Sequence, residues 1–258
     1  MSILLDPLSR PVVAHRGGSL AAPENTIEAM ELAVSRGADA LELDVRLSAD
    51  GEVVVMHDPR VDRTTDGHGE VARMTLAELR ELDAGAREST PASWIPGLRH
   101  PCRIPKFEEI LTRLTEIPLI IELKVALASV QTRSLIEKHR AQDRCFVASF
   151  VPEAMHAFRG SGIAIGATRP QALRLLLAAI TGADATPAFD GLFISPRYRS
   201  IPLPMRRLIA VTRRAGKPTH VWTINDGEQA RKLWLMGASG IVTDDVPGAL
   251  AARRALPR

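Results

Sequence analysis

Short aliphatic or β-branched runs alternate along this chain with longer amphipathic segments. Eight runs predict strands: Val12–His15, Ala40–Leu47, Leu119–Lys124, Phe146–Phe150, Ala164–Thr168, Gly191–Ser195, His220–Asn225 and Gly240–Thr243. Helical periodicity fills the intervals, at Thr26–Arg36, Phe107–Leu114, Ser129–Ala141, Glu153–Phe158, Gln171–Ile180, Pro204–Ala215, Glu228–Met236 and Gly248–Arg254. Asn25 reads as the cap that starts the first helix, and Gly37 stops it. Eight strands, each followed by a helix, predict an α/β fold of the closed (β/α)8 TIM-barrel type rather than an open doubly wound sheet. The first strand leads into His15-Arg16-Gly17-Gly18, which is not the GxGxxG turn of a dinucleotide-binding sheet.

One interval breaks the rhythm. Asp50-Gly51 predicts a hairpin turn, with Glu52–His57 returning as a short strand. Residues 58 to about 105 then hold turns and one helical stretch, Leu76–Leu82, opened by the pattern Thr75-Leu76-Ala77-Glu78. This is too long for an ordinary βα loop. The expectation is one domain over 1–258, with a small insertion after the second barrel strand at the mouth of the barrel.

Side chains alternate faces along a strand. In Ala40–Val45 the aliphatic residues 41, 43 and 45 share the face that meets the helices, so Glu42 and Asp44 point into the barrel. In the third strand Glu122 and Lys124 share a face, with Ile121 and Leu123 opposite. An internal Glu–Lys pair is the structural alternative for that strand. Bare carboxylates inside a barrel repel and desolvate, and so need a cation. Three carboxylates with no clustered Cys or His favour a hard ion with oxygen ligands, Mg²⁺ or Ca²⁺.

His15 and His57 each close a predicted strand, and histidine is the natural proton carrier near neutral pH. Arg16 follows His15 and suits bidentate capture of a phosphate or carboxylate, with Lys124 as a second cation. No Walker loop and no GxSxG elbow is present. Hydrolysis of a phosphate ester fits this set best; carbon–carbon cleavage or enolisation is the barrel alternative.

Composition narrows the picture. Aromatics are 4% of 258 residues, which argues against a base-stacking platform. The net charge of +3 suits a small anion without requiring nucleic acid, and Arg206, Arg207, Arg213, Arg214, Arg253 and Arg254 fall on helices, not at the expected mouth. Cys102 and Cys145 lack zinc or CxxC spacing and read as reduced thiols. The N-terminal stretch has no basic and apolar leader pattern, and no apolar run approaches the ~18–20 residues of a membrane span, so a cytoplasmic location is expected.

The chain resembles the glycerophosphodiester phosphodiesterase family. The similar segments are His15-Arg16-Gly17-Gly18, Pro23-Glu24-Asn25-Thr26, Glu42-Leu43-Asp44-Val45, Val55-Met56-His57-Asp58 and the stretch from Arg63 to Leu79. They continue, in the family's order, with Ile121-Glu122-Leu123-Lys124, Ser149-Phe150, Val221-Trp222-Thr223-Ile224-Asn225 and Gly240-Ile241-Val242-Thr243-Asp244. The resemblance implies a distorted (β/α)8 barrel that hydrolyses small glycerophosphodiesters to glycerol 3-phosphate and an alcohol. It implies one divalent cation, Mg²⁺ or Ca²⁺, on Glu42, Asp44 and Glu122, with His15 and His57 as general acid and base. Arg16 and Lys124 would contact phosphate, and Trp222 would line the substrate pocket. The attacking group is either the substrate's own hydroxyl, through a cyclic phosphate, or water. On a regular strand Trp222 and Asn225 cannot both face inward. Asp58 either supports His57 or the metal shell, or begins the turn before Pro59.

Two departures bear on the substrate. Lys106-Phe107 stands where the family usually has Thr-Leu after Ile-Pro, and Ala86–Arg103 is polar and irregular. Trp94, Ile95 and Leu98 in that stretch are the sequence's support for an apolar trough, and so for a related reading as a lysophospholipase D-type or cyclising enzyme on lysophospholipids. A non-catalytic phosphodiester-binding barrel would lack one of the five His and carboxylate positions, and all five are filled.

Overall fold

The computed structural model describes residues 2–87, 101–183, 185 and 187–257. In chain order the strands are β1 (Val12–Ala14), β2 (Ala40–Leu47), β3 (Val53–Val55), β4 (Leu119–Leu123), β5 (Cys145–Ala148), β6 (Ala164–Ile165), β7 (Leu192–Ile194), β8 (Arg197–Tyr198), β9 (Ile201–Pro202), β10 (Thr219–Val221) and β11 (Gly240–Thr243). Eight of them are parallel, in the order β6-β5-β4-β2-β1-β11-β10-β7. The two ends of this sheet meet. Gly166 and Gly191 form a parallel bridge, Ala167 N donates to Gly191 O at 3.0 Å, and Asp190 N donates to Ile165 O at 2.8 Å. The sheet therefore curls into the expected barrel.

The helices are α1 (Ile27–Ser35), α2 (Leu76–Glu81), α3 (Phe107–Arg113), α4 (Ser129–Lys138), α5 (Arg169–Thr181), α6 (Met205–Arg214), α7 (Gly227–Leu235) and α8 (Val246–Arg254). One expected helix differs. Pro152–Phe158, after β5, is a 3-10 helix: Pro152 and Gly160 bound it, leaving too short a run to extend as an α-helix. The cap of α1 also differs. Thr26, not Asn25, caps it, its side chain accepting from Ala29 N at 3.2 Å.

The hairpin and the helix opened by Thr75 follow the sequence pattern. β3 runs antiparallel to β2, outside the barrel ring. Thr75 and Glu78 form the capping box of α2, with Glu78 Oε2 accepting from Thr75 N at 2.7 Å. Val61, Val71, Leu79, Ala84, Cys102 and Ile104 pack on Val54 and Met56 as a separate small apolar cluster. The segment with Trp94, Ile95 and Leu98 lies outside the described residues.

The main core lies between barrel and helices. Leu41, Leu43, Val45, Ile121 and Leu123 are fully buried there. Burying each such side chain contributes ~1.5–3 kcal/mol, and a slip of one residue would turn all of them inward. This fixes the inward direction of the alternate residues. Inside the barrel, Val13, Ala40, Ile120, Phe146 and Val242 pack on Leu4 from the 3-10 turn Ile3–Leu5. That turn plugs the barrel floor, and Leu4 O accepts from His220 Nε2 at 2.8 Å.

Candidate active site at the barrel mouth

A cavity of about 260 Å³ opens at the C-terminal ends of the strands. Its lining includes His15, Arg16, Glu42, His57, Glu122, Lys124 and Trp222, so the structure gathers these expected residues at one mouth. Asp44 lies just beneath, 1% exposed.

The acids cluster because of register. Asp44 and Glu122 are direct partners on neighbouring strands, and Glu42 lies two residues before Asp44 on the same face. One carboxylate oxygen from each falls within 4.8 Å of the others. Lys124 Nζ lies 2.9 Å from Asp44 Oδ1 and 2.8 Å from Glu122 Oε1. The internal Glu–Lys pair is thus present, but it is shared with Asp44. Burial opposes the Asp44 charge, but Lys124 and Arg16 outweigh it and hold its carboxyl below the usual range. Around Glu42 the balance is reversed, because the His15 imidazole 4.0 Å away offsets only part of the opposing effects. Glu42 accepts from Arg16 N at 3.0 Å, while burial and then the charges of Asp44 and Glu122 push its carboxyl up to about 8. A buried carboxylate with this deficit, beside two others, fits a hard divalent ion.

β1 ends at Ala14, so His15 stands in the turn beyond the strand rather than closing it. Arg16 has φ 52° and Gly17 φ +86°. A Cβ at Gly17 would fall 2.9 Å from Ala29 Cβ, so glycine lets this turn press onto α1. His15 Nδ1 lies 2.7 Å from Asp244 Oδ1, and its Nε2 lies 4.0 Å from Glu42 Oε2. Burial works against the imidazolium, but the Asp244 bond and the nearby carboxylates outweigh it and raise the His15 pKa. Asp244 is held in turn by Ser19 Oγ and Asn225 Nδ2, each at 2.7 Å. Burial raises its carboxyl, but these bonds bring it down to about 2.

His57 stands two residues beyond β3, and both Arg46 Nε (2.9 Å) and Arg46 Nη2 (2.7 Å) donate to its carbonyl. Its Nδ1 lies 2.6 Å from Asp58 Oδ1. Of the two readings of Asp58, the geometry favours support of His57. Arg16 Nη1 donates to Glu24 Oε1 at 3.0 Å, while its buried Nε faces Asp44 Oδ2 at 3.3 Å without bonding it. Asn25 locks Asp44 from two sides: Asn25 Nδ2 donates to Asp44 Oδ2 at 2.9 Å, and Asp44 N donates to Asn25 Oδ1 at 3.2 Å.

The parity conflict on the seventh barrel strand disappears because β10 ends at Val221. Trp222 lines the cavity, edge-on to Phe150 at 5.7 Å, and Asn225 bonds Asp244. Strand patterning along the sequence assigns no role to Asp244, Ser19 or Asn225. One signal was available. A closed barrel places the last strand beside the first, so the residue after Thr243 must come near His15.

Two imidazoles, each paired with a carboxylate, thus stand at the barrel mouth beside an acidic triad and two cations. The sequence profile of the glycerophosphoryl diester phosphodiesterase family matches residues 15–247, and the chain belongs to that family. It is 36% identical over 243 residues to YhdW of Bacillus subtilis (strain 168), provisionally named a glycerophosphodiester phosphodiesterase, covering 90% of this chain and 93% of the relative. The fold is similar to the glycerophosphodiester phosphodiesterase of Agrobacterium tumefaciens strain C58, with TM-score 0.74 and 28% identity over 94% of this chain and 99% of that one. It is also similar to an Oleispira antarctica phosphodiesterase solved with the product sn-glycerol-3-phosphate, with TM-score 0.76 and 27% identity over 96% and 98% of the two chains. Among the described residues, no helix is long and apolar enough to cross a membrane.

Proposed function

We propose that this chain is a metal-dependent glycerophosphodiester phosphodiesterase, releasing glycerol 3-phosphate and an alcohol from small glycerophosphodiesters. The observation that carries this reading is the convergence of His15 and His57 on one cavity with Glu42, Asp44 and Glu122. Family membership supports it, as does the product named in the Oleispira structure. We read the chain as one catalytic barrel, with the insertion at its mouth.

Glu42, Asp44 and Glu122 would hold one Mg²⁺ or Ca²⁺. When bound, the ion supplies charge neutralisation to phosphoryl oxygens. Arg16 and Lys124 hold the phosphate, and Trp222 borders the remainder of the substrate. Asp244 and Asp58 each accept from an imidazole Nδ1, which leaves both Nε2 atoms for the reacting oxygens. One histidine takes the proton of the attacking hydroxyl, and the other returns a proton to the leaving alcohol.

The test is release of glycerol 3-phosphate from a panel of glycerophosphodiesters, before and after exhaustive chelation. Turnover that chelation abolishes and Mg²⁺ or Ca²⁺ restores supports the reading. Undiminished turnover after chelation removes the metal from it.

A further inference from the structure

We infer that Arg63, in the insertion, is a positioning residue that ties the two halves of the mouth together. Arg63 Nε donates to Asp58 Oδ2 at 2.6 Å. Its Nη1 and Nη2 grip Glu24 bidentately, at 2.9 and 2.6 Å. Asp58 orients the His57 ring from one end, and Glu24 seats the Arg16 guanidinium from the other. The chain of contacts therefore runs His57–Asp58–Arg63–Glu24–Arg16, with one guanidinium at its centre.

The surroundings are built to hold that guanidinium in place. Val61 is buried in the insertion's own cluster, Val61 N donates to Gly69 O at 3.0 Å, and Val71 N donates to Pro59 O at 2.9 Å. Arg63 thus projects from a pinned turn, although its side chain is 48% exposed. An exposed ion pair usually contributes little to stability. A planar fork satisfying two carboxylates at once does something else: it fixes direction. With Asp58 held, His57 keeps its proton on Nδ1 and presents Nε2 to the cavity. With Glu24 held, Arg16 keeps its reach toward the phosphate.

The inference rests on the proposed activity for its kinetic readout. Arg63→Ala is expected to lower kcat at least tenfold and to raise KM severalfold for glycerophosphocholine. Asp58→Asn moves mainly kcat, and Glu24→Gln mainly KM. Arg63→Lys, a single ammonium without the fork, restores one of the two parameters and not both. Arg63→Ala combined with Asp58→Asn costs little more in kcat than the worse single change, because both act through one ring. Values of kcat and KM within twofold of the unaltered protein for Arg63→Ala would overturn the inference, whatever happens to its melting temperature. A second readout needs no turnover: the ¹⁵N shifts of the His57 ring at pH 8. Wild-type protein held in the Nδ1–H form, with a mixture in Arg63→Ala, supports the clamp; identical spectra overturn it. A wild-type chain that turns over no glycerophosphodiester refutes the proposed function and leaves the ring spectra to decide the clamp.

Discussion

His15 and Asp244 stand 229 positions apart in sequence, yet their side chains meet at 2.7 Å where the last barrel strand returns to the first. The pair sets the ring: Asp244 accepts from Nδ1, so Nε2 turns toward Glu42 and the cavity. Asp244→Asn keeps the shape and removes the charge. Asp244 helps raise the His15 pKa, so its loss moves whichever limb of the pH–rate profile tracks His15 to lower pH. Turnover is expected to fall by at least tenfold, on the scale of ~10²–10⁴ for general acid–base catalysis. A pH profile of kcat/KM superimposable on that of the unaltered protein contradicts this role.

Metal binding is predicted to release a proton. Burial and its two acidic neighbours push the Glu42 carboxyl up to about 8. A bound cation requires the carboxylate, so affinity rises as pH approaches 8, by roughly tenfold per unit for one displaced proton. Calorimetric titration with Mg²⁺ and with Ca²⁺ at pH 6, 7 and 8, in buffers of different ionisation enthalpy, counts that proton. Affinity that does not change with pH argues against the triad as the binding site.

The barrel floor has its own pH dependence. His220 is buried, stacked 4.8 Å from the Phe193 ring, and burial pushes its pKa down to about 4 despite the bond to Leu4 O. The unfolded chain takes up this proton near pH 6.5, so it binds more protons than the native state between pH 6.5 and 4. Stability therefore falls as pH drops through that window. The His220 contribution between pH 7 and pH 5 is about 2 kcal/mol. His220→Gln keeps a donor for Leu4 O and removes the titration. Urea unfolding at both pH values should show a smaller acid loss in the variant; an equal loss would sink this assignment.

Gly240 makes room for that ring. A Cβ at Gly240 would fall 2.3 Å from His220 Nδ1, inside contact distance. Gly240→Ala is expected to cost about 1–3 kcal/mol, as overpacked cores do. Thermal unfolding of this variant should show the loss, and a transition unchanged within 1 °C would contradict it.

Strand parity made the acids legible. The fully buried face of Leu41, Leu43 and Val45 leaves Glu42 and Asp44 only one direction, and that argument needs no coordinates. The cap of α1 was less accessible, because Asn25 and Thr26 both suit a helix start and only the three-dimensional demand of Asp44 assigns Asn25 elsewhere. Asp244, Ser19 and Asn225 emerge only when the barrel closes and distant loops become neighbours. The 3-10 helix at Pro152–Phe158 shows the opposite failure, in which helical periodicity stopped too soon to extend. Arg63 belongs to the family-like stretch, but nothing in the linear sequence shows that one guanidinium can reach both Asp58 and Glu24.

Glycerol 3-phosphate released from glycerophosphocholine, measured side by side for the wild-type chain, His15→Ala and His57→Ala at saturating Mg²⁺ or Ca²⁺, tests the central claim most directly. The expected result is turnover by the wild type and a loss of roughly 10²-fold or more in each variant, with the circular dichroism spectrum unchanged. Full activity in either histidine variant, or no product from the wild type with either ion, would contradict the account.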